Sequence, residues 1–110
     1  GHTLICPIRC VATVDKLTRN ELLAIFDLVK KLNPALSEAF NTDGFNYAWN
    51  EGDSAGQDVP HYHLHMVPRK KGDTGIYEYE PRKFLYRPGS REKTPEDELK
   101  KIVERIRKFL

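Results

Sequence analysis

The stretch Pro60-His61-Tyr62-His63-Leu64-His65-Met66-Val67-Pro68 constrains the fold more than any other part of the chain. Imidazoles alternate with apolar side chains, so a strand places His61, His63 and His65 on one face and Tyr62, Leu64 and Met66 on the other. Pro68 has no N–H for a sheet ladder and is expected to stop that strand. Upstream, Phe45, Tyr47 and Trp49 alternate with Asn46, Ala48 and Asn50. The flexible run Gly52-Asp53-Ser54-Ala55-Gly56 separates the two segments. Together they predict an antiparallel hairpin with Asn50 on the histidine face and Gly56-Gln57 approaching it. At strand alternation, Phe45, Tyr47 and Trp49 are expected in the core, with base stacking as the competing use.

The remaining elements follow from local signals. Gly1-His2-Thr3-Leu4-Ile5-Cys6-Pro7 reads as a short strand closed by proline. Thr18 and Glu21 form a capping box, and Leu22, Ile25, Phe26, Val29 and Leu32 recur at helical spacing behind it. Pro34 is expected to end, kink or restart that helix, with Pro34 to Phe40 available to continue it. Residues 69–93 carry no clean periodicity and read as an ordered excursion. Thr94-Pro95-Glu96-Asp97 opens a second helix with Leu99, Ile102, Val103, Ile106 and Phe109 on its buried face. These elements sum to an α+β domain with an antiparallel sheet and two helices, and the chain contains no internal repeat.

At 110 residues the chain supports one domain and one core. Hydrophobic residues at 39% and charged residues at 31%, with 11 aromatics, argue against disorder. No run approaches the roughly 20 apolar residues of a membrane helix, and no signal peptide opens the chain, so a cytoplasmic protein is expected. Two cysteines, Cys6 and Cys10, cannot build a disulfide framework or a zinc knuckle and are read as packing residues. Residues 1–60 carry five Lys/Arg against eight Asp/Glu, whereas residues 61–110 carry thirteen against eight. That basic second half suits a phosphate-bearing ligand or a solvated helix face equally well. The run Arg69-Lys70-Lys71 likewise suits either polyphosphate attraction or a solvated turn.

The chain has four histidines, three of them alternating, with successive rings on one face roughly 7 Å apart. Three uses of such a row compete. The rings can be partly buried and satisfied by hydrogen bonds. Two of them can ligate zinc with a third ligand from elsewhere, although no carboxylate lies within the strand. Or a neutral imidazole can attack phosphorus while its neighbours manage protons and charge.

The segment Gly56-Gln57-Asp58-Val59-Pro60-His61-Tyr62-His63-Leu64-His65-Met66-Val67-Pro68-Arg69 resembles the signature of the histidine triad (HIT) family. Gly1 to Pro7 resembles the family's earlier strand with its fourth histidine, and Phe45 to Gly52 resembles the strand before the triad. The likeness covers about residues 1–72, leaving 73–110 as an excursion and helix of the same single domain. It implies a HIT-like fold and a nucleotide hydrolase that cleaves at the α-phosphate of dinucleoside polyphosphates or nucleoside phosphoramidates. His63 would be the nucleophile, forming a nucleotidyl-histidine. His65 would contact phosphate and leaving group with His2 beside it, and the His61 carbonyl would hold the proton on the far nitrogen of His63. Asn50, Gly56, Gln57, Asp58 and Val59 would bind substrate. The third histidine favours hydrolysis over transfer, and the tail after it resembles the Fhit-like dinucleoside polyphosphate hydrolase branch.

Two departures stand out. Asp58 lies where relatives place Ser or Thr, and the sequence starts after the N-terminal strand pair that helps form the family's nucleotide pocket, so that either the sequence is a fragment or its pocket is built differently. The aromatic segment with Tyr77, Tyr79, Phe84 and Tyr86 is a candidate replacement. The resemblance implies a homodimer, no protein-bound metal and no required cofactor, with a divalent cation assisting polyphosphate substrates. Nucleic-acid ends are not favoured as substrates. A nucleotide-binding interaction protein without turnover is the competing class, and a zinc protein the third.

Overall fold

The computed structural model describes residues 1–73 and 93–110. Three strands, β1 (Thr3–Ile5), β2 (Gly44–Ala48) and β3 (Leu64–Arg69), form an antiparallel sheet in the order β1-β3-β2. One long helix, α1 (Arg19–Phe40), runs between β1 and β2, and α2 (Glu96–Arg107) ends the chain. The α+β expectation and the β2–β3 antiparallel pairing both hold, with Tyr47 opposite Met66 and Ala48 opposite His65. The aromatic cluster Tyr77, Tyr79, Phe84 and Tyr86 lies outside the described residues.

The start of α1 follows its sequence closely. The Thr18 hydroxyl accepts from the Glu21 backbone N–H at 3.2 Å, and the Glu21 carboxylate accepts from the Thr18 N–H at 2.8 Å. Arg9 grips the same carboxylate with two donors, at 3.0 and 2.8 Å, and reaches the Lys16 carbonyl at 2.7 Å. This fork ties the loop after β1 to the first turn of the helix. Asn41, in the left-handed region at φ 48°, closes the other end, with its N–H on the Ser37 carbonyl.

Of the readings of Pro34 the continuing helix to Phe40 holds, and two further expectations, on Pro68 and the α2 stripe, are corrected. Helix α1 passes through Pro34 without a break. Pro34 and Lys30 are both exposed, so water can take the Lys30 carbonyl that the proline leaves without a donor. Strand β3 continues through Pro68 to Arg69. Because β1 pairs only as far as Met66, Pro68 lies where β3 has a single pairing neighbour, and a missing N–H is tolerated there. The stripe of α2 is not buried: Leu99, Val103 and Phe109 are exposed, and Ile102 and Ile106 only partly covered. Arg105, its guanidinium 5.1 Å from the Phe40 ring, is one contact of α2 with α1.

The core lies between α1 and one face of the sheet. Ile5, Val11, Leu17, Ile25, Tyr62 and Leu64 form a buried cluster, with Leu22, Val29 and Leu32 packed on it. Leu36 and Met66 are fully buried. Tyr47 and Trp49, expected inside, are each 42% exposed. Tyr47 instead stacks with Phe45 and accepts a hydrogen bond from Asn33 at 2.7 Å. Cys6 and Cys10 are free thiols and exposed, not packing residues.

Arg9 and the Thr18 backbone hold the Glu21 carboxyl down to about 2. Its folded value lies below its unfolded one, so its stabilisation is present above about pH 4.5 and fades as the pH falls toward 2. Glu21→Gln should therefore lower the melting temperature at pH 7, and thermal melts should show the gap from wild type closing between pH 4.5 and 2.

Candidate active site

Strand β3 is central, and its alternation turns Leu64 and Met66 toward the helix and His65, Val67 and Arg69 to the opposite face. Leu4 of β1 and Ala48 of β2 lie opposite His65 on that face. His61 and His63 lie just before β3, in an extended approach that starts at a tight turn where the His61 N–H reaches the Val59 carbonyl at 2.8 Å. The histidine alternation therefore spans a strand and its lead-in, not one continuous strand.

Three rings gather on this face. His65 is 1% exposed, with the His63 ring 4.9 Å away edge-on and the His2 ring 5.1 Å away. His2 Nε2 and His65 Nδ1 share a hydrogen bond of 2.8 Å. Gly1 sets the approach of His2: a Cβ there would come within 2.8 Å of Pro68 Cγ and 2.9 Å of the Phe40 ring. His61 is apart from this cluster, because its Nε2–H donates to the Pro7 carbonyl at 2.8 Å.

The proton on His63 is located by its acceptor. His63 Nδ1 lies 2.8 Å from the His61 carbonyl oxygen, which can only accept. The hydrogen of the neutral ring is thus on Nδ1, and the Nε2 lone pair is available to an electrophile. Beside it, burial first and then the His2 and His63 charges push His65 down to about 4. Burial, the amino terminus and Arg69 lower His2 as well. At neutral pH the pair shares a single hydrogen between Nε2 and Nδ1 and carries no positive charge. An arriving phosphate would favour its protonation.

The expected substrate-binding residues are placed differently from one another. Asn50 is partly buried two residues beyond β2, and the β2–β3 register carried past the ladder sets it opposite His63. Gln57 is committed to the backbone: its Nε2 donates to the Ala12 carbonyl and its Oε1 accepts from the Gly52 N–H, both at 2.8 Å. It fixes the Gly52–Gly56 loop, where both glycines adopt φ 79°. Gly56, Asp58 and Val59 are exposed.

Several supports had no sequence signal. Glu51 accepts from the Val14 N–H at 2.7 Å and from Trp49 Nε1 at 3.1 Å, which fastens the end of β2 to the turn before α1. The Pro7 and His61 acceptors are backbone oxygens, which no residue type announces. Among the described residues, no group of three or more His, Cys, Asp or Glu is arranged to hold a metal ion.

A HIT domain family model matches residues 1–72. The chain is 35% identical over 95 residues to bis(5'-adenosyl)-triphosphatase of Dictyostelium discoideum, covering 86% of this chain and 60% of that protein. It is 40% identical over 73 residues to the asymmetrical bis(5'-nucleosyl)-tetraphosphatase of Schizosaccharomyces pombe, covering 66% and 40%. A crystal structure of a HIT-like protein involved in cell-cycle regulation from Bartonella henselae superposes with a TM-score of 0.79 at 26% identity, over 99% of this chain and 71% of that one. The chain belongs to the histidine triad family, and its matches include Fhit-like bis(5'-nucleosyl) phosphatases. It spans less than two thirds of the length of those first two relatives.

The depressed His65 has a stability consequence. Between about pH 6.5 and 4 the unfolded chain takes up a proton at this ring that the folded state refuses, so stability falls as the pH drops through that window. Denaturant titrations at a series of pH values should show this slope, and His65→Gln should flatten it.

Proposed function

We propose that the protein hydrolyses nucleotides at the α-phosphate, acting on dinucleoside polyphosphates or nucleoside phosphoramidates and releasing a nucleoside monophosphate. The hydrogen bond from His63 Nδ1 to the His61 carbonyl carries this reading, because it leaves the Nε2 lone pair of a partly exposed ring as a nucleophile. In the first step His63 Nε2 forms a bond to the α-phosphorus, the bond to the leaving oxygen or nitrogen breaks, and the leaving group takes a proton. The His2–His65 pair, neutral in the free protein, is placed to gain a proton with the phosphate and pass it to the leaving group. In the second step water attacks the phosphorus and gives a proton back to the His2–His65 pair, the P–N bond to His63 breaks, and the monophosphate departs. The intermediate divides one difficult displacement into two easier ones.

His61 acts as a positioning residue: its carbonyl orients His63 and its ring is anchored on Pro7. Asn50 is read as a donor to phosphate, and the Gly56–Val59 segment as the floor of the substrate site, held rigid by Gln57. The relatives that hydrolyse bis(5'-adenosyl) and bis(5'-nucleosyl) compounds support the polyphosphate class. No cofactor enters the proposal, and a divalent cation would act by neutralising the polyphosphate chain. Action in the cytoplasm as a homodimer completes it.

AMP release from diadenosine tetraphosphate and from adenosine phosphoramidate tests the reading. Wild type should turn over at least one of them, and His63→Ala should lose at least about a thousandfold in kcat while still binding AMP. Wild type that binds nucleotide tightly but releases no AMP would establish the binding-protein class instead.

A further inference from the structure

The loop that leaves β1 supplies backbone acceptors to the segment carrying His63. The Pro7 carbonyl takes the His61 ring N–H at 2.8 Å, and the Val11 carbonyl takes the Tyr62 N–H at 2.6 Å. The Ala12 carbonyl takes Gln57 Nε2, also at 2.8 Å. One loop thus fixes His61, whose own carbonyl orients His63, and through Gln57 the Gly52–Gly56 loop as well. Burial holds only the ends of this loop. Pro7 and Val11 are buried, whereas Ile8, Arg9 and Cys10 between them are exposed. The contact of Cys10 Sγ with the Pro60 carbonyl is long, at 4.0 Å. Arg9 ties the exposed middle down. Its Nε and Nη2 donate to the two oxygens of Glu21 at 3.0 and 2.8 Å, and Nη2 also reaches the Lys16 carbonyl at 2.7 Å. An exposed ion pair stabilises a fold only weakly. A planar fork on fixed acceptors, by contrast, sets both a position and a direction.

We infer that Arg9 is a positioning residue of the histidine site, holding the 7–12 loop where its carbonyls meet His61, Tyr62 and Gln57. The inference rests on the hydrolase reading for its effect on turnover, but not for its effect on the loop. Without the fork the loop keeps its buried ends while its middle opens more often. The His61 carbonyl then loses its fixed place, and His63 spends less time in its one orientation. Substrate binding is spared, because the donors of Arg9 are engaged by Glu21 and Lys16 rather than by the histidine cluster. The loss therefore falls on kcat and not on KM.

The test compares wild type with Arg9→Gln, which removes the fork, and Arg9→Lys, which keeps the charge without the fork. Thr18→Ala is the control, since it weakens the same helix start by loss of its cap. Amide hydrogen exchange is measured at Tyr62 and at Leu36, a fully buried residue of α1. Arg9→Gln should speed Tyr62 exchange at least about tenfold relative to Leu36, Arg9→Lys should not restore it, and Thr18→Ala should leave the ratio of the two unchanged. On diadenosine tetraphosphate, Arg9→Gln should lower kcat about tenfold with KM within about twofold, while Thr18→Ala keeps kcat within about twofold. A wild-type exchange ratio in Arg9→Gln overturns the inference. Full restoration by Arg9→Lys does so too, reducing the role to charge, as does an equal kcat loss in Thr18→Ala, reducing it to stability. If wild type turns over no substrate, the hydrolase reading fails by itself, and the exchange ratio still decides whether Arg9 positions the site.

Discussion

The hydrogen bond from His63 Nδ1 to the His61 carbonyl organises the site, and much of the surrounding structure serves to hold that carbonyl still. The segment carrying it is fixed on both sides. The His61 ring is tied to Pro7, the Tyr62 N–H reaches the Val11 carbonyl at 2.6 Å, and the Tyr62 side chain is buried in the core. The two residues flanking His63, Tyr62 and Leu64, are both core members packed toward α1. The imidazole therefore stands on a backbone whose freedom has been removed by burial below it. Such pre-organisation matters because a reacting nitrogen gains most from being held in one tautomer and one direction before substrate arrives.

The second constraint is electrostatic. A row of imidazoles beside a nucleophile could repel cations, trap a proton or bind a metal, depending on how each ring is solvated. Here burial keeps His65 neutral near physiological pH, and its shared hydrogen bond with His2 joins the two rings through one hydrogen. An anionic substrate would reverse that balance, drawing a proton onto the pair where the leaving group needs one.

Much of this arrangement was legible in the residues. The capping box at Thr18, the period-two runs around Tyr47 and Leu64, and the pairing of those runs all depend on local chemistry, which sequence spacing reports directly. The grouping of His2 with His63 and His65 was legible only through family resemblance, since 63 residues separate His2 from its partner. What spacing misjudged depended on tertiary context. Whether Pro68 ends a strand is decided by where β1 stops pairing, and whether Tyr47 is core is decided by how far α1 reaches across the sheet, since Tyr47 shares the face of buried Met66 but sits on the flanking strand β2. The stripe of α2 has the pattern of a buried face, yet its neighbours leave Leu99 and Val103 exposed. Gln57 illustrates another limit: a carboxamide suited to phosphate is equally suited to two backbone groups, and only the folded loop shows which it holds.

The most direct measurement is the tautomer of His63 in the free protein, read from long-range proton–nitrogen correlations of its ring in nitrogen-15-labelled material at neutral pH. A ring with its hydrogen on Nδ1 and an unprotonated Nε2 is the predicted result, and it should persist in His65→Gln. A hydrogen on Nε2 would leave the nucleophilic nitrogen blocked and contradict the assignment of His63 as the attacking group.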